Sequence, residues 1–499
     1  MGIIQRQGIK YSVLSYIGIA IGTISTLFIY PLNLEAYGLA QFLISSAALL
    51  SPFVVLGINV LPIKFMPYFE DIGSGHRGFF SLLLLLGLLL SVLFALFFTL
   101  GQEYITQYLV AINPVNATQL SQYIGYLLPY SILIGWNAIL LNYIISFQRI
   151  VIPNLLNNVM LKVALPVFIL MTVYAGWDYI RFIYALIGIQ VVVLLGLLSY
   201  IRKLGQLHLN RIQWPFFRKR VRQMVSFSIY GMVGGIGGIL AFRIDSIMIP
   251  ALVGLSSNGA YSLAVFMANA IAVPTGSISR IASPILSKAL KENDLTTIKQ
   301  IYRDASLSLF WVGVLMYILL MANIKDLVSI LPAERDLSVL IPVAGILGAA
   351  KLIDMVTSVN SEIIGYSKFY RFNLFFIILL GVFSVILNYY FIQTLDMGLL
   401  GAAYATALSL LIFNTTKAAF IWIRFGIHPF QRSLGTILLA GLALYFLIGQ
   451  LDMHNPWANL LLHSLLIVGP YIYVMYRLNA SPHWNKIIDQ LLQKIGIKF

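Results

Sequence analysis

Four polar residues in one apolar stretch are spaced so that they share a helix face. Lys351, Asp354, Ser358 and Glu362 follow one another at intervals of three, four and four residues, which places them on one side of a helix. A charge inside a membrane costs roughly 2.5–3.5 kcal/mol on insertion scales and usually faces a cavity or a partner. The pattern therefore predicts a cavity-lining stripe in which Lys351 contacts phosphate. The alternative is a buried Lys351–Asp354 pair that only joins helices.

Three other apolar stretches contain charged residues. Lys162 lies about ten residues into its stretch, near the bilayer centre, and has no acidic neighbour in sequence. It is the leading candidate for a phosphate contact. Arg243 and Asp245 lie near the outer end of their stretch. Three roles are open for them: a gate, a substrate contact or an interfacial anchor. Lys417 lies toward the inner end of another stretch and either lines the cavity or snorkels to the surface.

The composition indicates a chain whose solvent is lipid. Of its 499 residues, 60% are hydrophobic and only 10% are charged, whereas a soluble domain carries roughly a quarter charged residues. Disorder is excluded because it requires low hydrophobicity. The chain has no cysteine, which removes disulfide and thiolate chemistry.

The sequence also lacks the motifs of several other functions. It has no G-x-x-x-x-G-K-[ST] phosphate loop, so it is not expected to hydrolyse ATP. Its six histidines show no metal-ligand spacing. No cofactor is expected, and H⁺ and Na⁺ remain the candidate coupling ions. The net charge of +15 is explained by cations in loops between membrane segments, so no nucleic-acid partner is expected.

About fourteen stretches are long and apolar enough to span a membrane, which needs about twenty such residues. Their continuous hydrophobicity favours helices over barrel strands, and the first stretch is longer than a signal-peptide core. The predicted segments 1 to 14 are 11–30, 36–59, 79–101, 119–147, 151–174, 178–201, 223–249, 258–283, 304–322, 338–362, 369–391, 397–423, 431–449 and 457–476.

The basic residues predict the orientation. With the N-terminus inside and the segments alternating, 25 of the 32 Lys and Arg residues fall on the inner side and three on the outer side. Cytoplasmic loops of membrane proteins are enriched in Lys and Arg. The split therefore predicts an even number of segments with both termini cytoplasmic.

Two inner connections and the C-terminal tail have distinct patterns. Residues 204–222 form a basic linker between segments 6 and 7, and residues 284–303 predict an amphipathic helix. In the tail, residues 479–499, apolar side chains alternate with charged ones, which is typical of a helix lying on the inner leaflet. The apolar residues of that stripe are Ile487, Ile488, Leu491, Leu492 and Ile495.

The chain contains an internal repeat with an offset of about 220 residues. Residues 36–42 match residues 260–266 at five of seven positions, and the Pro52/Pro62 pair recurs as Pro274/Pro284. The offset equals six segments, so both copies have the same orientation. Such parallel repeats place a substrate site between the halves.

The predicted fold is therefore an all-α membrane protein with about fourteen transmembrane helices. Two pseudo-symmetric six-helix bundles surround a central cavity, and two C-terminal helices follow. The predicted domains are the N-lobe 1–203, the linker 204–222, the C-lobe 223–424, helices 13 and 14 within 425–478, and the cytoplasmic tail 479–499.

Three stretches carry a family resemblance. They are residues 243–249 followed by 258–264, residues 283–290 running into Asp294 and Tyr302, and the first-half counterpart 61–67. In these, and in its plan of twelve plus two segments, the chain resembles the oligosaccharidyl-lipid flippases. These form the polysaccharide-transporter branch of the multidrug/oligosaccharidyl-lipid/polysaccharide exporter superfamily.

The resemblance implies alternating-access flipping of undecaprenyl-pyrophosphate-linked oligosaccharide, such as an O-antigen (lipopolysaccharide), capsule or exopolysaccharide repeat unit. It implies a multi-pass protein of the bacterial inner membrane, driven by an ion gradient or the membrane potential. The implied partners are the glycolipid, membrane lipids and polysaccharide polymerase or assembly proteins, with the protein itself a monomer. Segments 1 and 2 lack the basic residues of peptidoglycan-precursor flippases, which disfavours a cell-wall precursor.

Two other functions remain as alternatives. A drug or cation antiporter of the same superfamily would need an acidic cavity, and its usual carboxylate in segment 1 is lacking here. A membrane glycosyltransferase or polymerase would need catalytic groups in a sizeable outer loop, whereas the predicted outer loops are short. We therefore expect a transporter and not an enzyme.

Overall fold

The computed structural model describes residues 17–71, 75–333, 336–448, 455–478, 480, 484–485, 489–490 and 493. Every regular element within these residues is helical. Within this described part of the chain, ten helices are long and apolar enough to cross a membrane, and up to twelve if each of two bent pairs is one span. The prediction of an all-α, multi-pass membrane protein is confirmed.

The membrane helices follow the predicted segments closely. The ten long helices are Tyr30–Val55, His76–Tyr108, Leu127–Ser146, Val151–Tyr174, Tyr179–Lys203, Val221–Arg243, Leu295–Ile330, Arg371–Thr394, Gly398–Phe425 and Pro456–Arg477. The bent pairs are Leu255–Ile271 with Thr275–Glu292 and Leu340–Val356 with Asn360–Tyr366. The shorter helices Ile17–Phe28 and Arg432–Ile448 fall in segments 1 and 13. Length and composition support ten to twelve spans, so the count of fourteen stays a prediction.

The chain divides into two compact units. Unit 1 holds the residues up to Ala260 together with 332–334, and unit 2 holds the remainder. The predicted lobes differ from this division in assigning residues 223–260 to the second half, and they stay a prediction.

Unit 1 is held together by close helix crossings. A Cβ added to Gly38 would collide with the carbonyl oxygen of Leu255, and one on Gly57 would collide with that of Ser228. Gly57 also has a φ of +75°, which glycine adopts without strain. The buried side chain of Asn258 donates to the Gly38 carbonyl at 2.8 Å. Segment 2 therefore packs closely against segment 7 and against residues 255–259, all within unit 1.

Unit 2 is organised around the long helix Leu295–Ile330. The hydroxyl of Tyr471 donates to the Trp311 carbonyl at 2.7 Å, and the Trp484 ring stacks on Trp311 with centroids 4.9 Å apart. The Tyr471 bond attaches helix Pro456–Arg477 to segment 9, and the Trp484 stack attaches a residue beyond that helix to the same segment. The residues predicted to form the apolar stripe of the tail lie outside the described residues.

The prediction of one amphipathic helix over residues 284–303 is wrong, because two helices share this range. Helix Thr275–Glu292 ends at Asn293, whose φ is +55°, and helix Leu295–Ile330 begins two residues later. The Asp294 carboxylate accepts hydrogen bonds from the Thr297 backbone N–H at 3.0 Å and hydroxyl at 2.5 Å. A left-handed C-cap followed by an N-cap interrupts the helix, although the apolar pattern continues across it.

Candidate functional site

Segment 10 is broken at its polar part. Helix Leu340–Val356 ends at Thr357, and helix Asn360–Tyr366 continues at a bend of 41°. The Thr357 hydroxyl donates to the backbone carbonyls of Ile353 and Asp354 at 3.2 and 3.3 Å. Such back-bonding competes with the helix ladder and is a recognised cause of bending. The break exposes polar backbone and side-chain groups inside a membrane segment, as in the discontinuous helices of transporters.

Lys417 of segment 12 points at this break. Its side chain is 2% exposed, and its ammonium donates to the Ser361 hydroxyl at 2.7 Å. The ammonium also lies 4.3 Å from the Phe413 ring centroid, a distance at which a cation is attracted to the ring. Asp354 and Glu362 act electrostatically on it, yet within the described parts of the chain neither forms an ion pair with it. Lys417 is therefore held by hydrogen bonding and burial instead of snorkelling.

Neighbouring polar groups form a network around the break. Asn414 donates to the Asp354 carboxylate at 3.2 Å, and the Tyr302 hydroxyl donates to the Asn360 side-chain oxygen. Asn373 donates to the Ser361 carbonyl at 2.8 Å. The bond from Asn414 fixes one end of the predicted polar stripe to segment 12.

Within residues 358–362, three buried atoms have no hydrogen-bond partner among the described residues. They are Ser358 Oγ, Asn360 Nδ2 and Glu362 Oε2. Buried polar atoms without partners are rare in proteins. The break therefore presents an unpaired amide donor, an unpaired carboxylate acceptor and a hydroxyl that can donate or accept.

The predicted stripe of Lys351, Asp354, Ser358 and Glu362 is half-buried along its length. Lys351 and Asp354 form no ion pair within 4 Å in the described structure, so the structure does not show the buried pair considered as the alternative. The role of the stripe in lining a substrate cavity stays a prediction.

An apolar cavity of about 680 Å³ lies between segments 10 and 12 of unit 2. Val356, Ala418 and Trp422 contribute apolar walls, and Asn414 and His428 contribute polar groups. Asn414 therefore faces this cavity while bonding Asp354. The charged candidates of unit 2 lie beside the cavity and do not line it.

Lys162 lies in unit 1 on helix Met160–Tyr174, directly after a π-helical turn at Leu155–Val159. Its side chain is exposed and passes over Gly18, where an added Cβ would be 3.5 Å from its Cδ and 3.7 Å from its Nζ. No ion pair within 4 Å involves Lys162 in the described part of the chain. The sequence did not indicate the contact with Gly18, because it joins residues far apart in the chain.

Arg243 and Asp245 lie on either side of a second helix break. Arg243 ends helix Val221–Arg243, and Asp245 begins helix Asp245–Leu252. Arg243 interacts electrostatically with the buried Tyr37 and Tyr130. Asp245 lies in a first helical turn, where the helix dipole favours negative charge. The break separates the two predicted residues onto different helices of unit 1.

One carboxylate was missed by the sequence reasoning. Glu35 accepts a hydrogen bond from the Gln119 amide and interacts electrostatically with Tyr179. Beside it, Asn33 donates to the Thr172 hydroxyl at 3.1 Å. Glu35 was not among the candidates because segment 2 was predicted to begin at residue 36. The Asn33 N-cap, which accepts from the Ala36 N–H at 2.9 Å, is the signal that would have moved that boundary.

The comparisons with known proteins agree on one fold. A family model described as "Polysaccharide biosynthesis protein" matches residues 7–290. The solved structure described as "Lipid II flippase MurJ, inward closed conformation" has a TM-score of 0.71 at 15% identity, covering 94% of this chain and 99% of that one. No curated protein matches the sequence.

Multidrug transporters share the same architecture. An inward-facing MATE family transporter of the MOP superfamily has a TM-score of 0.61 at 14% identity, covering 83% of this chain and 94% of that one. A MATE structure in complex with MaL6 has a TM-score of 0.53 at 14% identity, covering 85% of this chain and 97% of that one. At these identities the likeness establishes the fold, and function requires the site itself.

Proposed function

Because the chain belongs to the polysaccharide biosynthesis protein family, we propose that it is a flippase for lipid-linked oligosaccharide. The cargo is an undecaprenyl-pyrophosphate-linked repeat unit of O-antigen, capsule or exopolysaccharide. The protein moves it from the cytoplasmic to the periplasmic leaflet of a bacterial inner membrane by alternating access. Both termini are cytoplasmic, and the protein acts as a monomeric transporter without enzymatic activity.

The observation that carries this proposal is Lys162. An exposed ammonium within a membrane-spanning helix, with no ion pair among the described residues, is costly and usually serves function. A pyrophosphate is a matching ligand, because charge-assisted hydrogen bonds to phosphate oxygens are strong in a low-dielectric setting. Lys417 and Lys351 give unit 2 cationic groups of the same kind.

The test is flipping in proteoliposomes loaded with a radiolabelled lipid-linked oligosaccharide. We expect Lys162→Ala to slow flipping by roughly ten- to a hundredfold, since a hydrogen bond to a charged group contributes about 1.5–3 kcal/mol. Lys299→Ala, at an exposed position of helix Leu295–Ile330, is the matched control and should retain the parent rate. Unchanged flipping by Lys162→Ala would reject the site assignment, and no glycolipid movement by the parent protein would reject the function.

The proposal also covers the energy source for flipping. We propose coupling to an H⁺ or Na⁺ gradient or to the membrane potential. Flipping measured while each gradient is imposed separately would identify the driver. Dependence on added ATP in the purified system would contradict it.

A second function is favoured by one observation. Glu35 is a carboxylate held by the neutral donor Gln119, with Tyr179 nearby, which suits the binding of a cation or proton in an ion-coupled drug antiporter. Proton-driven efflux of an organic cation, lost in Glu35→Gln, would favour this function over glycolipid flipping.

A further inference from the structure

The linker 204–222 has an unusual charge pattern. It contains five Lys and Arg residues, and Arg202 and Lys203 directly precede it, so residues 202–222 hold seven cations and no acidic residue. Six of the seven side chains are exposed, and Arg220 is half-buried. None forms an ion pair within the described residues. The linker therefore carries a concentrated positive charge with no carboxylate to neutralise it.

The linker is also firmly attached to unit 1. The buried His76 ring is hydrogen-bonded to the Gln206 side chain at 2.6 Å, and the Gln213 N–H donates to the Arg77 carbonyl at 3.2 Å. The Arg77 guanidinium lies 3.9 Å from the Phe216 ring centroid. These contacts tie both halves of the linker to the turn before segment 3.

A buried aromatic contact adds to this attachment. The fully buried ring of Phe217 packs on Phe69 with centroids 4.4 Å apart. The linker backbone is thus positioned by hydrogen bonds and by a core side chain, so its outer surface has a defined shape.

That outer surface combines cations with exposed apolar side chains. Leu209 is 67% exposed and Trp214 is 57% exposed, and Arg211, Arg218 and Lys219 of the same short segment are exposed as well. Residues 209–216 enclose a concavity of about 890 Å³. An exposed tryptophan and leucine among cations are typical of a surface at the boundary between headgroups and acyl chains.

We propose that residues 209–219 form a membrane-surface site that binds the phosphate headgroup of an anionic phospholipid in the leaflet predicted to be cytoplasmic. Arg211, Arg218 and Lys219 contact the phosphate, and Trp214 and Leu209 enter the adjoining apolar layer. Basic segments next to membrane helices are attracted to anionic lipids in this way. The site is separate from the candidate residues within the membrane segments and does not depend on the identity of the cargo.

The first experiment uses the full-length protein in nanodiscs that contain phosphatidylcholine with or without phosphatidylglycerol, each carrying brominated acyl chains. The measurement is tryptophan fluorescence, which bromine quenches. Because the chain has seven tryptophans, the fluorescence of Trp214 is taken as the difference between the parent and Trp214→Phe. We expect brominated phosphatidylglycerol to quench this signal strongly. Equal quenching by brominated phosphatidylcholine, or none by either lipid, would overturn the headgroup assignment.

The second experiment separates specific cations from net charge. The variant Arg211→Gln/Arg218→Gln/Lys219→Gln should weaken retention of phosphatidylglycerol in mixed micelles by about tenfold or more. The control Lys288→Gln/Lys291→Gln/Lys299→Gln removes the same charge from exposed positions elsewhere and should retain the lipid as the parent does. If both variants lose phosphatidylglycerol equally, net charge explains the retention, and the proposal of a specific site is overturned.

The diphosphate of a lipid-linked substrate has the same phosphate chemistry. Undecaprenyl pyrophosphate added to the same micelles should displace phosphatidylglycerol no better than an equal amount of another anionic lipid. Preferential displacement would assign the site to the substrate instead. Saturating salt provides a further check, since an exposed phosphate contact is screened by ions. Retention that is insensitive to salt would contradict the proposed contact.

Discussion

The ammonium of Lys417 and the hydroxyl of Ser361 meet at 2.7 Å across the bend of segment 10. This bond joins a buried cation on one membrane helix to the short helical piece that follows the break in another. Because Asp354 and Glu362 influence the same ammonium without pairing with it, the cation is positioned by a neutral oxygen. A change in this one bond therefore reorients a charge within the membrane.

Replacing Ser361 with alanine should destabilise unit 2. The substitution removes a hydrogen bond to a charged group, which contributes about 1.5–3 kcal/mol, and leaves Lys417 buried with fewer partners. We expect a lower melting temperature in detergent and slower glycolipid flipping. Ser226→Ala, at an exposed position of helix Val221–Arg243, is the control and should match the parent. A Ser361→Ala variant with the parent's melting temperature would show that the bond contributes little.

Replacing Gly38 with alanine should push segment 2 away from the first turn of helix Leu255–Ile271, within unit 1. The added Cβ would collide with the backbone carbonyl of Leu255, and a backbone atom cannot move aside as a flexible side chain can. We expect a destabilisation of roughly 1–3 kcal/mol, as for other overpacked sites, in thermal unfolding.

Gly238 provides the matched control for Gly38. An added Cβ there meets nothing within 4 Å, and alanine is a better helix former than glycine by roughly 0.5–1 kcal/mol. Gly238→Ala should therefore unfold at or above the parent's temperature. If both variants unfold at the same temperature, the crossing at Gly38 is looser than its geometry indicates.

The sequence predicted the helices far better than the contacts between them. Hydrophobic length alone located a helix in every predicted segment, because each span must satisfy its own backbone in lipid. The break of segment 10 was not predicted, since it depends on a threonine hydroxyl bonding the preceding turn. The helix interruption at Asn293 was missed for a related reason: a cap of two residues does not disturb apolar periodicity.

Candidate site residues could be chosen from the sequence because charge is rare in membrane segments. Their partners could not, because helical spacing relates residues only within one helix. Lys417 and Ser361 lie on different segments, as do Lys162 and Gly18, so only tertiary packing brings them together. Likewise, the spacing of Lys351 and Asp354 allowed an ion pair that their side chains do not make.

Enlarging Gly18 should affect the same function as Lys162. An alanine fits, because its Cβ would make ordinary contact with the Lys162 side chain at 3.5 Å, but a leucine would displace that side chain. We expect Gly18→Leu to slow flipping to a degree similar to Lys162→Ala, and Gly18→Ala to keep the parent rate. Gly188→Leu, on a helix face with nothing within 4 Å, is the size-matched control. Normal flipping by Gly18→Leu would indicate that Lys162 needs no fixed position.

The start of helix Leu295–Ile330 should lose stability in acid. Hydrogen bonds from the hydroxyl and backbone N–H of Thr297 lower the pKa of the Asp294 carboxyl below its usual value of 3.8. A carboxyl whose pKa is lower in the folded state stabilises that state above the unfolded-state pKa, and this contribution disappears as the pH falls through the folded-state pKa. The melting temperature should therefore fall below about pH 4. Asn accepts the same N–H bond without a charge, so Asp294→Asn should reduce the part of this fall that comes from the cap. An acid-induced fall of equal size in the parent and in Asp294→Asn would place the titrating group elsewhere.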